Sequence, residues 1–265
     1  MQLLPVIVNN RDLQVEFLLQ NLVRLGATEL HLIDNASTFP ELVDWLAFPP
    51  SDITDLATNR TVPLTVHKWT NTGPRAACRL VRQLRQSWLD SGVKYYATTD
   101  ADLFFGHTVT NALQAFADLH TRLTVETAQT AGYVLKPQNR IGCALTLSGL
   151  HDPDGHIRTS EAHYWAPSRR LTTLMHPSVG PDDELYLAPI DTTLAVIPLE
   201  PGWDGDYTPA IRAASINSQP CYALHSPWHH SPETRPADHQ WYLDHADPQG
   251  TVYTAHQIAR KQRCQ

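Results

Sequence analysis

The chain has 265 residues, 42% of them hydrophobic and 18% charged, with 20 Lys and Arg against 27 Asp and Glu, a formal charge of −7. Apolar residues recur throughout, which excludes a disordered chain; the acidic balance argues against broad nucleic-acid binding, and the most apolar stretches, such as Ala144 to Leu150, fall far short of the ~20 residues that span a bilayer. The apolar start is broken at Asn9-Asn10-Arg11-Asp12, too early for a secretory leader, and Cys78, Cys143, Cys221 and Cys264 lie scattered without a C-x-x-C pair, as expected of reduced thiols in a cytoplasm.

In chain order, the apolar run Leu3 to Val8 predicts a buried strand ending at Asn9-Asn10. Asp12 is expected to cap a helix with Leu18, Leu22 and Leu25 at helical spacing, ending at Gly26. Leu30 to Ile33 predicts a second strand closed by Asp34-Asn35, and Pro40 to Ala47 a short helix stopped by Pro49-Pro50. Pro63 to His67 predicts a third strand. Arg75 to Leu89, with Ala77, Leu80, Val81, Leu84 and Trp88 on one side, predicts a helix ended by Gly92, and Val93 to Thr98 a fourth strand. This alternation implies βαβ units: an α/β fold with a mostly parallel central sheet and helices on both faces. Such sheets place ligands at the carboxyl ends of their strands, where Asn9, Asp34, Asn71 and Asp100 all fall.

The second half is richer in proline and turn residues. Its strand candidates are Tyr133–Lys136, Cys143–Leu147, Leu185–Ala188 and Thr193–Ile197, and residues 226–250 suggest a loop that wraps the body or orders on binding. No composition break marks a boundary, so 1–265 is expected to form one domain.

Asp100-Ala101-Asp102 follows a strand and precedes Leu103-Phe104-Phe105. A lone D-x-D is most often a solvated turn. Bracketed by apolar runs, its carboxylates need a cation or donors to offset desolvation, and two carboxylates two residues apart suit Mn²⁺ or Mg²⁺. Arg75, beside Gly73 at a helix start, stands where backbone N–H groups favour an anion such as a diphosphate. Lys68 is a weaker candidate for the same task. Arg79 and Arg82 continue the Arg75 face, and for Arg82 a solvated stripe suffices.

Taken together, Pro5-Val6-Ile7-Val8-Asn9-Asn10-Arg11-Asp12, Leu32-Ile33-Asp34-Asn35-Ala36-Ser37, Asn71-Thr72-Gly73-Pro74-Arg75 and Thr99-Asp100-Ala101-Asp102 resemble, in their order, a small GT-A fold glycosyltransferase of the family 2-like kind, bacterial or phage. Pro189 to Ala195 and the H-x-P-W segment His225-Ser226-Pro227-Trp228 extend the resemblance over roughly residues 3 to 245. It implies a nucleoside-diphosphate sugar donor, such as a UDP-sugar, held by residues 1–102, and an acceptor held by residues 103–250, with a tail at 251–265. By this resemblance Asn9–Arg11 and Asp34 hold the nucleoside, Asp100 lies near the ribose and metal, Asp102 binds the metal, and His225 is a further metal or diphosphate ligand. Asp34 also fits a simple turn, since Asp-Asn-x-Ser favours one.

An inverting transfer needs a base for the acceptor hydroxyl proton. Asp191, at an element boundary, is the expected one; Asp182, Asp183 and Glu184 are rivals, and helix or turn capping of Thr192 or Thr193 is the structural alternative. Trp165, Trp203, Trp228, Trp241 and Tyr242 either stack on an acceptor or pack a loop-rich half. His163-Tyr164-Trp165 and Trp228-His229-His230 are the aromatic segments best suited to an acceptor. The acceptor classes compatible with these residues are a glycan, a lipid, a metabolite or a hydroxymethylated DNA base, without stable membrane insertion. Two alternatives share the scaffold: a non-catalytic nucleotide-sugar or glycan-binding protein, and a sugar nucleotidyltransferase. The second is disfavoured because no glycine follows the first strand to cradle a triphosphate.

Overall fold

A computed structural model describes residues 2–105, 110–125, 140–172, 179–188, 190, 194–200 and 210–245. The first hundred residues form β1 (Pro5–Asn10), α1 (Glu16–Arg24), β2 (Glu29–Asn35), α2 (Pro40–Ala47), β3 (Asp52–Asp55), β4 (Arg60–Trp69), α3 (Ala76–Asp90) and β5 (Tyr95–Asp100). There follow β6 (Leu103–Phe104), α4 (Ala112–Val125), β7 (Arg140–Leu145), α5 (His156–Ala162), β8 (Arg170–Leu171), β9 (Glu184–Leu187), β10 (Ala195–Pro198), β11 (Ala210–Ile216), β12 (Gln219–Pro220), β13 (Tyr222–His225) and α6 (Ala237–His245).

The fold is α/β, and its sheet is mixed rather than mostly parallel. The main path runs β3-β4-β2-β1-β5-β10-β7-β11-β9-β8. β4, β2, β1 and β5 are mutually parallel, as crossover helices require. Then β10 inserts antiparallel to both β5 and β7, and β9 antiparallel to β11. Because β10 opposes both neighbours, β7 points the same way as β5. β11 and β13, each parallel to β7, point that way too. The carboxyl ends of all seven co-directional strands therefore meet at one edge, which carries Asn10, Asn35, Trp69, Asp100 and His225.

Alternation within strands divides the core. Val6 and Val8 of β1 and Leu30 and Leu32 of β2 face one side, where Leu18, Leu22, Leu42, Leu113, Phe116 and Leu123 of α1, α2 and α4 cover them. Ile7 and Ile33 face the other side, against Ala76, Leu80, Val81 and Trp88 of α3. Each such fully buried aliphatic chain contributes roughly 1.5–3 kcal/mol. Gly142 is required by packing: a Cβ there would run into the Leu194 carbonyl oxygen where β10 crosses β7.

Two expectations change. Residues 226–250 are not all loop, because 237–245 form α6. Asp12 does not cap α1; its backbone is left-handed (φ 67°) and its carboxylate turns to another loop, described below. Tyr133–Lys136 lies outside the described residues. No helix among the described residues is long and apolar enough to cross a membrane. Among the described residues Cys78, Cys143 and Cys221 form no disulfide, and burial pushes Cys221 up to about 12.

On the α3 face three polar groups form a chain. Glu29 Oε1 lies 2.8 Å from His31 Nε2, and His31 Nδ1 lies 3.1 Å from His67 Nε2, with Trp88 edge-on to His31. Burial, reinforced by His31, holds His67 below the ordinary histidine value, against the pull of Glu29. The hydrogen bond from His31 holds Glu29 low, against burial. A depressed histidine contributes stability that is present above its unfolded value near 6.5 and lost as pH falls through the folded one. The melting temperature should therefore drop between pH 7 and pH 5, and the drop should be shallower in His67→Gln. Equal slopes in the two proteins would contradict this account.

Candidate functional site

The carboxyl edge is assembled by side chains that tie one strand end to the next. After β1, Asn10 is buried and exchanges two hydrogen bonds with the Leu13 backbone, at 2.9 and 3.3 Å. Asp12, fully buried, accepts from the Thr38 and Phe39 backbone N–H groups, the latter at 2.9 Å. It thus binds the first strand's loop to the segment that leads into α2. Arg11 is held beside Asp12 at 3.6 Å and donates to the His245 carbonyl at 3.4 Å, so α6 lies over this loop.

After β2, Asp34 accepts from the Ser37 N–H at 2.9 Å, forming the turn that Asp-Asn-x-Ser favours. Its neighbour Asn35 is buried and reaches across to the loop after β4, accepting from Thr72 N–H at 2.7 Å and donating to the Gly73 carbonyl at 3.2 Å. Asn71 accepts from Gly73 N–H at 3.0 Å. Gly73 takes a left-handed φ of 68°, strained for other residues, and opens the 3₁₀ turn that leads into α3. Arg75 is exposed at that helix start, and Arg79 lies over Trp69 at 5.3 Å. Lys68 is exposed, in register with Asp34 across β2 and β4.

Asp100 ends β5 in register with Asn9 of β1. Two residues on, Asp102 meets His225 from the end of β13, with Oδ2 3.2 Å from Nε2. The Ser226 N–H donates to the Asp102 carbonyl at 2.8 Å, and Leu103 pairs with His225 in the β6–β13 ladder. Residues 123 apart in sequence are therefore locked together by backbone as well as by side chain. The Trp228 ring lies 4.4 Å from the His225 ring, tilted by 37°. Burial works to raise the Asp102 carboxyl, yet His225, by charge and hydrogen bond and with His239 behind it, outweighs burial and holds it below the ordinary carboxylate value.

The edge carries an excess of unmet polar capacity. Asp102 Oδ1, His225 Nδ1, Trp228 Nε1, His229 Nε2, His239 Nδ1 and Asn9 Oδ1 are buried and have no hydrogen-bond partner among the described residues. An orphaned buried polar atom costs about 1–3 kcal/mol, so a concentration of them at one edge is what a polar ligand would relieve. Among the described residues no three His, Cys, Asp or Glu side chains converge as a metal-ligand group. A hard divalent cation that also binds phosphates needs only one or two carboxylates from the protein. Asp102 supplies one such carboxylate, with Oδ1 open among the described residues.

The structure thus brings Asp102 and His225 together and sets Asn9, Asp34, Gly73, Arg75 and Asp100 along the same edge, with Arg11 under α6. Asp191 lies outside the described residues, as do Trp203 and residues 251–265. Sequence reasoning missed the roles of Asn35 and Asp12 as loop ties and of Asp238 and His239 on α6. Asn35 follows Asp34 at a strand end and was legible as a turn; what it holds is 37 residues away and was not. In comparison with known proteins, the chain matches no protein-family model and no curated protein.

Proposed function

We propose that the chain is a metal-dependent GT-A type glycosyltransferase, moving a sugar from a nucleoside-diphosphate donor to a hydroxyl acceptor with inversion. The observation that carries this reading is the Asp102–His225 pair at the carboxyl edge, each member keeping a buried polar atom without a partner. In this reading Asn9, Arg11, Asp34 and Asn71 line the nucleoside end, and Gly73 and Arg75 offer donors and positive charge to the diphosphate. Asp102 and His225, with Asp100, hold Mn²⁺ or Mg²⁺. When bound, that cation offsets charge gathering on the departing diphosphate. Asp191 takes the proton of the acceptor hydroxyl as its oxygen bonds to the anomeric carbon, and the bond from that carbon to the diphosphate oxygen breaks. The acceptor is a glycan, lipid, metabolite or hydroxymethylated DNA base.

The test is calorimetric titration of the full chain with UDP, GDP, CDP and ADP, with and without Mn²⁺, followed by a donor-hydrolysis assay. Tight binding of a nucleoside diphosphate only in the presence of the cation, with slow release of free sugar from the matching donor, is expected. Absence of cation-dependent binding to all four overturns the reading. Binding without hydrolysis or transfer makes the protein a nucleotide-sugar binder instead.

A further inference from the structure

α6 packs over the carboxyl edge in an unusual way for a surface helix: its two buried side chains are Asp238 and His239, and both are polar. Asp238 accounts for itself. Its Oδ2 accepts from Gln14 N–H at 2.9 Å, just ahead of α1, whose own first residues supply no side-chain cap. Trp241 Nε1 donates to Thr38 Oγ1 at 3.1 Å, and Arg11 reaches the His245 carbonyl. These contacts fix α6 against the loops after β1 and β2, and so fix His239.

His239 is different. It is 9% exposed, its Nδ1 has no partner among the described residues, and its ring stands edge-on to His230 at 5.9 Å. It lies within electrostatic reach of Asp102 and His225. His230 already has a contact of its own, with Nε2 3.2 Å from Ser226 Oγ. A buried imidazole with an idle nitrogen costs stability unless something meets it. The cation is assigned above to Asp100, Asp102 and His225, and His239 is an electrostatic neighbour of that group. A diphosphate bound through that cation carries further oxygens beyond it, and a neutral imidazole offers them an N–H.

We propose that His239, carried by α6, is a binding residue of the Asp102–His225 site whose Nδ1–H donates to a phosphate oxygen of the nucleoside diphosphate. This rests on the function proposed above, and it makes α6 part of the donor site rather than a cover for the core. The test uses the full chain, His239→Ala and the conservative His239→Gln, which retains an N–H donor. Mn²⁺ affinity is read by electron paramagnetic resonance, and affinity for UDP, GDP, CDP and ADP in saturating Mn²⁺ by calorimetry, with melting temperatures as a check on folding.

His239→Ala is expected to weaken the bound diphosphate roughly tenfold, the scale of one hydrogen bond to a charged group, and to leave Mn²⁺ affinity within twofold. His239→Gln is expected to recover part of the loss. If wild type binds a diphosphate and both variants bind it equally well, the assignment to His239 is overturned while the function stands. Failure of wild type to bind any diphosphate overturns the function itself. A purely structural role would lower Mn²⁺ affinity and melting temperature together in both variants, which also counts against the assignment.

Discussion

Asp102→Asn should abolish cation-dependent nucleotide binding, whereas Asp191→Asn should leave binding intact and remove turnover. The two carboxylates are asked for different work. Asp102 sits against His225 at 3.2 Å, with a second oxygen buried and unpartnered. Replacing it with an amide removes the negative charge that offsets both the imidazole and a cation. Even changes behind a metal ligand weaken affinity about 10- to 100-fold, so loss of a ligand should exceed on the order of a hundredfold. The variant keeps the side-chain shape, and its melting curve separates site loss from unfolding. In the proposed function Asp191 is the general base and acts only on the acceptor proton, and removing such a group typically lowers turnover by about 10²–10⁴-fold. Nucleotide affinity measured with Mn²⁺ and transfer measured as product formation give the two readouts. Normal turnover in both variants would remove the glycosyltransferase reading, and full turnover in Asp191→Asn alone would pass the base role to Asp182, Asp183 or Glu184.

The legible part of this fold is the part in which local pattern and tertiary structure share a period. In the first hundred residues each apolar run is a co-directional strand, and each helix shows a stripe matching its buried side. Strand direction is another matter. Ala195, Val196, Ile197 and Pro198 of β10 are all buried, so this strand reads like a parallel one although it opposes both neighbours. α4 was legible in principle, since Leu113, Phe116, Ala117, His120 and Leu123 recur at helical spacing and are all buried. α6 was not: what it buries is an Asp and a His, and a polar buried face leaves no hydrophobic period.

The site divides in the same way. Asp102 stood out because a D-x-D that follows an apolar strand suits a cation, and His225 through the resemblance of its H-x-P-W segment. The turn at Asp34 follows from its local sequence, with Ser37 three residues on. Asp12 holding Thr38 and Phe39, and Asn35 holding Thr72, are long-range ties. Their residue types announce a loop-tying function, but the loop each one ties is set by strand order. Asp238 repeats the lesson, for it serves α1 from 224 residues away.

Glu161→Ala should destabilise the protein by about 3–5 kcal/mol, the usual result of breaking a buried ion pair from one side. Glu161 on α5 meets Arg212 of β11 at 2.5 Å, with side chains only 7% and 5% exposed, and the Arg212 guanidinium also lies over the Tyr164 ring at 4.7 Å. Removing the carboxylate leaves a buried cation with less compensation than before; the aromatic face offers about 2 kcal/mol or somewhat more in a desolvated setting. Arg212→Ala should cost a similar amount by stranding the carboxylate. Replacing both, as Glu161→Leu with Arg212→Met, should recover much of the loss, because two apolar chains of comparable volume escape the desolvation that the ions suffer. Urea unfolding of the four proteins closes the cycle. Single-variant losses below about 1 kcal/mol, the range of exposed pairs, would show that water reaches this contact. A double variant as unstable as the sum of the singles would show that packing, not charge, joins α5 to the sheet. Because β11 neighbours β7, and β7 carries β13 and His225, a loosened α5 should also weaken Mn²⁺-dependent nucleotide binding, though only as far as the melting temperature falls.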